Sequence, residues 1–529
     1  MNGELQEVRS RANELLLRGE WKDCIDAYSQ LTVLLEHQEP CDDGASKKAL
    51  CLAFSNRAEA RFRLRDFCAS IQDCGRALQI DPNHLKSIVC MGKALLEIDQ
   101  YSKASKCFER AVALQPHGHR GDSVGCLLRR SRKLDAQSRT GRFDLTDWIL
   151  NGFDGPSPDL AGYIEGPVEI RRSDISGRGL FVTKNVSAGT LLFVSKAVAV
   201  GRAILPGSTD DGLTGEQGNR LVVWKDFVDQ VRDAALRSEK TLKQLYTLPT
   251  GDEDEGSHDL GIPNMDIFRP DVEETTIGEV KLDMGRILKI LDANALTENP
   301  VLGKKSVNGE EEVCGVGLWI LASFINHSCN PNARRLHVGD RILVHSSKDL
   351  RKGEEITFSY FDTFLPLKKR QELGKNWGFL CKCERCKVEE IHRQDLEAIE
   401  KEMECASDLT DMVVRLEDEV LRKKVKGTRE KAFVRVSYWE AYCRVLRSGR
   451  VVKRWGRRIP EAGSLIDAAE AVVGGDDRVL AAAYEFKDVN GSYGRLIVDD
   501  MSRVSKIGRA IYGKHMKKQA IRALLQKYY

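Results

Sequence analysis

Several common features are missing from this chain of 529 residues. No stretch is apolar for the ~20 residues that a membrane-spanning helix needs. The opening MNGELQEVRS places polar and acidic residues where a secretory signal would place an apolar run, so no such signal is expected. An excess of one charge is also missing. Lys and Arg number 82 against 79 Asp and Glu, a net charge of +3 that is too mild for direct nucleic-acid binding. There are 15 cysteines, scattered and without a secretory context, which argues against a disulfide framework. Reduced thiols in a cytoplasmic or nuclear protein are expected instead. No cysteine lies between Cys126 and Cys314, which excludes a cysteine-based zinc module in that stretch.

What is present is a globular composition, 42% hydrophobic and 30% charged, on a chain too long for one core, so three or four domains are expected. Residues 49–82 and 83–116 form two units of 34 residues, ending in Asp81-Pro82 and Gln115-Pro116. Met91, Gly92, Leu95, Tyr101, Ala104, Phe108 and Ala111 recur at the spacing of two antiparallel helices, matched upstream by Ala58, Phe67, Ser70, Ile71 and Ala77. A third copy carries Ala12, Trp21, Ile25 and Tyr28, set apart by an insert from Cys41 to Ser46. This is the tetratricopeptide period and predicts an α-solenoid. The array resembles the carboxylate-clamp repeats that hold acidic C-terminal tails of heat-shock chaperones. By that resemblance Arg9, Asn13, Asn56 and Lys86 would line a peptide clamp, while Cys90 replaces its last cation.

The basic residues Arg129, Arg130, Arg132, Lys133, Arg139 and Arg142 read as a solvated helix face, and residues 121–165 as a helix followed by a Gly/Pro-rich linker. Short β-branched runs then begin: Val168–Ile170, Leu180–Val182 and Leu191–Val194, with Ser176-Gly-Arg-Gly-Leu180 between the first two. A Gly-Arg-Gly turn permits positive φ and close approach of a ligand to the backbone.

Three further motifs follow in order. They are Asn326-His-Ser-Cys-Asn-Pro-Asn332, Gly353-Glu-Glu-Ile-Thr-Phe-Ser-Tyr360, and Trp377-Gly-Phe-Leu-Cys-Lys-Cys-Glu-Arg-Cys386. The last places three thiols in a tight loop, one short of the four that structural zinc prefers. Together the motifs resemble a SET-domain protein-lysine methyltransferase with its zinc-binding post-SET tail. Among these enzymes the SET-and-MYND group is most similar, without its MYND finger. SET enzymes of plastid or cytosolic non-histone proteins share a mid-domain insert and a helical C-terminal region but lack such a tail.

The resemblance implies S-adenosylmethionine as cofactor, bound by Arg178, Gly179, Leu180, Asn326, His327, Tyr360 and Phe379. It implies that Tyr360 is the catalytic tyrosine, that Trp377 lines the lysine channel, and that Cys329 joins Cys381, Cys383 and Cys386 around a structural zinc. A tyrosine hydroxyl can orient an amine lone pair, and positioning supplies much of the rate in methyl transfer.

An insert over about 201–310 is expected to be helical at Asn219–Leu236 and Ile277–Leu296, with an acidic loop Asp252-Glu-Asp-Glu255. Residues 391–529 show helical periodicity, broken at Val473-Gly-Gly-Asp and Asn490-Gly-Ser-Tyr-Gly, and carry a basic run Arg450–Arg458. The expected architecture is multidomain α + β. It comprises tetratricopeptide repeats (1–120), helix and linker (121–165), SET domain (166–363), zinc tail (364–390) and C-terminal helical domain (391–529). The expected function is methylation of lysine side chains on a protein substrate, with the repeats as an interaction module. The contrasting reading is a peptide-binding adaptor whose SET fold is inactive.

Overall fold

The structure is a computed structural model that describes residues 2–37, 44–115, 123–151, 156–206, 213–251, 260–272, 281–298, 311–406, 408–448, 451, 454–456, 458–486, 497–517, 520–521 and 523. Seven helices open the chain: α1 Asn2–Arg18, α2 Trp21–Glu36, α3 Gly44–Arg63, α4 Phe67–Ile80, α5 Leu85–Glu97, α6 Tyr101–Ala113 and α7 Ser123–Thr140. Each packs on the next, as the 34-residue period predicts. The period also appears in the backbone. Gly19, Arg65 and Asp99 all take positive φ (75°, 63° and 64°), each two residues before the aromatic residue that opens the next helix. Gly92 is a packing requirement, because a Cβ there would meet the Phe108 ring at 2.7 Å.

The central region is β-rich. Strands β1 Val168–Arg172 and β2 Arg178–Val182 form an antiparallel hairpin. A second sheet joins β3 Leu191–Lys196, β9 Arg341–Ser346 and β8 Ala333–Val338 in that order, and a third joins β4 Ala199–Pro206, β6 Glu311–Leu318 and β5 Leu296–Thr297. Short parallel strands β7 Asn326–His327 and β10 Thr357–Phe358 pair at the centre. The insert contributes α8 Leu213–Arg237, α9 Glu239–Leu245 and α10 Met284–Asn294. Phe227 and Val231 of α8, and Ile287, Ile290 and Leu291 of α10, are buried in the core of the strands. The second expected insert helix ends earlier than its periodicity suggested: Ala295 turns extended and Leu296 pairs with Gly317 as an edge strand. The acidic loop at 252–255 lies outside the described residues.

The remaining helices include α11 Leu367–Asn376, α12 Glu384–Ile391, α13 Arg393–Cys405, α14 Thr428–Ser437, α15 Ala462–Val473 and α16 Ile497–Tyr512. Side chains of β8 and β9 alternate between two cores, as strand geometry requires. Leu336, Val338 and Leu343 join a core that runs from Phe108 of the repeats to Val434 of α14, whereas Ala333, Ile342 and Val344 face the other strands. The repeats, the outer face of this sheet and the C-terminal helices therefore share one apolar core.

The expected linker is shorter than its composition suggested: Leu160 and Ala161 are buried, and Tyr163 bridges to Val194 of β3. The basic residues of α7 form a solvated face whose charges pair locally, Arg130 with Asp159 and Arg132 with Glu109. Residues 450, 452, 453 and 457 of the basic run and the break at 490–494 lie outside the described residues. Arg454 and Arg458 stack on Trp455.

The left-handed turn at Asp99 also joins the repeats to the strands. Arg341 at the start of β9 donates to Asp99 Oδ1 at 2.6 Å and to the Tyr101 hydroxyl at 3.3 Å. Burial pushes the Asp99 carboxyl up, but the charge and hydrogen bonds of Arg341 overcome that and hold it below the usual range. Lys196 Nζ caps the Glu97 carbonyl nearby at 2.8 Å, and Gln100 reaches the Pro270 carbonyl in the insert at 3.0 Å. Breaking one half of a buried ion pair typically costs about 3–5 kcal/mol, because the other charge stays buried. Asp99→Asn is therefore expected to lower chemical-denaturation stability by about that much. Since the folded carboxyl has the lower pKa, its contribution is present above the unfolded value and is lost as pH falls through the folded one. A wild-type minus mutant stability difference that stayed constant across acid pH would contradict this pairing.

Candidate active site and metal centre

The site grows from the β7–β10 pair. The register Thr357↔Asn326 and Phe358↔His327 brings the second and third motifs side by side. Asn326 Nδ2 donates to Glu355 Oε1 at 2.7 Å, to Ser173 Oγ at 3.1 Å, and to the carbonyls of Ser176 and Arg178 at 3.2 Å each. Ser173 Oγ in turn donates to the Glu355 carboxylate at 2.8 Å. Thus one amide ties the β1–β2 turn to the strand pair. Gly179 is required here, since a Cβ would sit 2.3 Å from Glu355 Oε1. Glu355 and Ser173 carry no role in the sequence reading; Glu355 lies within the quoted motif, but nothing local marks it as the anchor of Asn326.

His327 is buried with both ring nitrogens engaged. The backbone N–H of Tyr360 donates to Nδ1 at 3.0 Å, and Nε2 lies 3.3 Å from Cys329 Sγ. Around it stand Tyr360 and Phe379, both with ring centroids at 5.3 Å, and Phe361 at 4.3 Å. Tyr360 lies 5.1 Å from Trp377 and meets Phe379 edge to face at 5.9 Å. Its hydroxyl donates to the Ile325 carbonyl at 2.8 Å. Burial pushes the Tyr360 phenol up to about 12, with Arg335 pulling the other way, so it is a neutral hydroxyl at physiological pH. The structure thus gathers Asn326, His327, Tyr360, Trp377 and Phe379 into one aromatic-walled site. Phe361 is an addition that sequence reasoning missed.

Arg178 and Leu180 contribute differently. Leu180 is fully buried in the core. The Arg178 side chain leaves the turn to cap the carbonyls of Thr247 at 2.6 Å and Gly261 at 3.2 Å, fixing the insert against the site. The backbone of this turn stays beside the site. At Gly177 and at Gly378, both of positive φ, no heavy atom of the described residues other than chain neighbours lies within 4 Å of where a side chain would begin. These two open glycines and the half-exposed faces of Phe379 and Trp377 leave room for a cofactor with an amino-acid end and a flat base.

The sulfurs of Cys329, Cys381, Cys383 and Cys386 all lie within 4.8 Å of one another. Thiolates at ~2.3 Å from a tetrahedral zinc would be separated by about 3.8 Å, so the donor set suits that ion. The surroundings match its charge as well. Arg370 donates to Cys386 Sγ at 3.4 Å and to Glu389, while Arg385 donates to the Cys329 carbonyl at 3.0 Å, to Glu389 at 2.9 Å and to Ser437 at 2.8 Å. Two buried guanidinium groups against one carboxylate leave a positive excess, which a zinc tetrathiolate would offset. Ser437 belongs to α14, so the same network fastens the tail to the C-terminal helices.

In the repeats the Tyr28 hydroxyl donates to Asn13 Oδ1 at 2.6 Å and accepts from Asn56 Nδ2 at 2.9 Å; Lys86 Nζ donates to Asn56 Oδ1 at 2.6 Å. Burial raises the Tyr28 phenol to about 12 even though the Asn56 hydrogen bond and the charge of nearby Arg9 both pull it down. The four expected clamp residues therefore cluster, with Tyr28 as the link the sequence did not disclose. Cys90 is buried between Ser70 and Cys74 and offers no charge to the groove.

The family model described as "SET domain" matches residues 177–361, a span that holds the Asn326–Asn332 and Gly353–Tyr360 motifs. The chain therefore carries a SET domain at residues 177–361, behind N-terminal TPR-like helical repeats. Similar curated proteins include a methyltransferase of Gibberella zeae, 26% identical over 399 residues, covering 72% of this chain and 51% of that protein. The Saccharomyces cerevisiae histone-lysine N-methyltransferase SET5 is 42% identical over 74 residues, 13% of this chain and 14% of that protein. Human histone-lysine N-methyltransferase SMYD3 is 26% identical over 170 residues, 31% and 38% of the two chains. The SET chain thus spans about half the length of the first of these relatives and less of the others. Similar solved structures include the TPR2B domain of yeast Sti1 in a complex with an Hsp70 peptide, 21% identical, TM-score 0.21, covering 24% of this chain and 96% of that one.

Proposed function

We propose that this SET protein is an S-adenosylmethionine-dependent protein-lysine N-methyltransferase and that its repeats present protein partners. The observation that carries the reading is the convergence of Asn326, His327, Tyr360, Trp377 and Phe379 on one site from motifs separate in the chain. When bound, S-adenosylmethionine would supply an electrophilic methyl group on a cationic sulfur. Asn326, His327, Phe379 and the backbone of the 177–180 turn would hold it, and the four cysteines would hold the structural zinc.

The chain's own groups then do the positioning. The Tyr360 hydroxyl, directed by the Ile325 carbonyl, keeps an oxygen lone pair free to accept an N–H from a neutral lysine amine. That contact would aim the nitrogen lone pair. Trp377 and Tyr360 enclose the amine between aromatic faces, which shed water and tolerate methylated ammonium. A narrow, largely dry channel lowers the pKa of an entering lysine, because burial penalises its charged form. Positioning of this kind supplies a large part of the barrier reduction in a bimolecular reaction.

The repeat groove is read as a site for acidic peptide tails, supported by Lys86 and the Asn13–Tyr28–Asn56 chain. A cytoplasmic or nuclear setting fits both substrate and partner classes. Calorimetry separates the enzyme from an inactive adaptor. S-adenosylmethionine is expected to bind the wild type, and Asn326→Ala to weaken it at least tenfold by releasing the β1–β2 turn. Absence of binding to the wild type would favour the adaptor.

A further inference from the structure

Arg335 lies in β8 on the face that points to the inner core, beside the candidate catalytic tyrosine, and the mechanism above gives it no task. It is 8% exposed, and its Nη1 is buried with no hydrogen-bond partner among the described residues. Its guanidinium carbon sits 4.8 Å above the ring of Phe358, which in turn lies 5.7 Å from the Tyr360 ring. Its titratable neighbours are the neutral Tyr360 phenol and the like-charged Arg334, so no carboxylate among the described residues balances it. Proteins rarely bury an arginine without an anion, because its desolvation goes uncompensated. Other buried arginines of this chain obey the rule: Arg57 is paired with Asp73, Arg341 with Asp99, and Arg370 and Arg385 with Glu389.

Resting on the methyltransferase reading, we infer that Arg335 is a specificity residue that receives the carboxylate of an Asp or Glu flanking the target lysine. The strand order gives the direction. Strand β10 pairs with β7, which carries Asn326, and its other neighbour is β8, which carries Arg335. Arg335 therefore lies on the β8 side of β10, opposite the β7 strand that carries Asn326. Its partner is then expected from the substrate rather than from the amino-acid end of the cofactor. Burial draws the guanidinium down only to about 10, so it stays charged in neutral solution. It repels an entering ammonium and favours the neutral amine, and an adjacent substrate carboxylate offsets that repulsion on docking.

The test is a lysine-centred peptide library incubated with the full chain and labelled S-adenosylmethionine. A charge-assisted hydrogen bond in a buried site corresponds to roughly tenfold or more in selection. The methylated wild-type pool is therefore expected to be enriched about tenfold in Asp and Glu over Asn and Gln beside the lysine. Arg335→Met, which removes an unpaired charge rather than half of a pair, is expected to fold and to bring that ratio near one. Arg335→Lys should keep part of the preference and serves if the methionine variant does not fold. Equal labelling of acid and amide peptides by the wild type would overturn the inference while leaving the methyltransferase reading intact. So would an undiminished ratio in the methionine variant, or a loss of cofactor affinity with the ratio unchanged. No labelling of any peptide would overturn the activity reading itself.

Discussion

Tyr360→Phe is expected to lower kcat for lysine methylation on the order of 10²-fold or more while leaving cofactor affinity within about threefold. The asymmetry follows from what the substitution removes. The ring stays, and with it the contacts to His327, Trp377 and Phe379 at 5.1–5.9 Å. Only the hydroxyl is lost, together with its bond to the Ile325 carbonyl. An interaction made to the reacting amine affects kcat and kcat/KM together, whereas lost uniform binding raises KM alone. Because burial holds the phenol near 12, ionisation of Tyr360 should not appear in the pH–rate profile near neutrality. A Tyr360→Phe enzyme with wild-type kcat would remove this side chain from the mechanism.

Loss of the metal should be as damaging by a different route. Cys383→Ser is expected to abolish zinc in the purified protein, lower the melting temperature and weaken S-adenosylmethionine binding at least tenfold. Zinc binding in such sites is coupled to folding, worth about 10–16 kcal/mol in isolated zinc-finger peptides and here spread over a larger, partly preformed structure. Without the tetrathiolate, Arg370 and Arg385 share only the carboxylate of Glu389, and all three side chains are at most 1% exposed. The tail segment carrying Trp377 and Phe379 should then leave His327 and Tyr360. Chelation of the wild type should reproduce the phenotype and zinc addition reverse it, a recovery the serine variant would lack. A zinc-free variant with full cofactor affinity would show that the tail holds its place without metal.

The candidate site was legible in the sequence where one chemical job is confined to a short stretch. Asn326-His327, Tyr360 and the Cys381–Cys386 loop each sit in a motif whose residue types state their chemistry, and the 34-residue period needed only helical spacing and the prolines after each unit. Jobs divided between distant segments were hidden. Ser173 and Glu355, 182 positions apart, meet only because β2 and β10 are brought together. Tyr28 looked like a repeat-core residue, yet its hydroxyl joins Asn13 to Asn56. Element ends also moved. Within the Gly353–Tyr360 motif the strand is only Thr357–Phe358, because Asn332 takes the Thr357 N–H at 2.8 Å and the Tyr360 N–H turns to His327. The C-terminal helices were legible from periodicity, but not their attachment, which depends on Leu336 and Leu343 emerging on the outer face of a sheet whose register no local pattern reports.

The central claim is that this site transfers a methyl group to a lysine nitrogen. Its most direct test is to incubate wild type and Tyr360→Phe with labelled S-adenosylmethionine and a protein extract, then map methylated residues by mass spectrometry. The account predicts label on lysine side chains with the wild type and near-background label with the phenylalanine variant. Label confined to other residue types, or equal lysine labelling by both proteins, would contradict it.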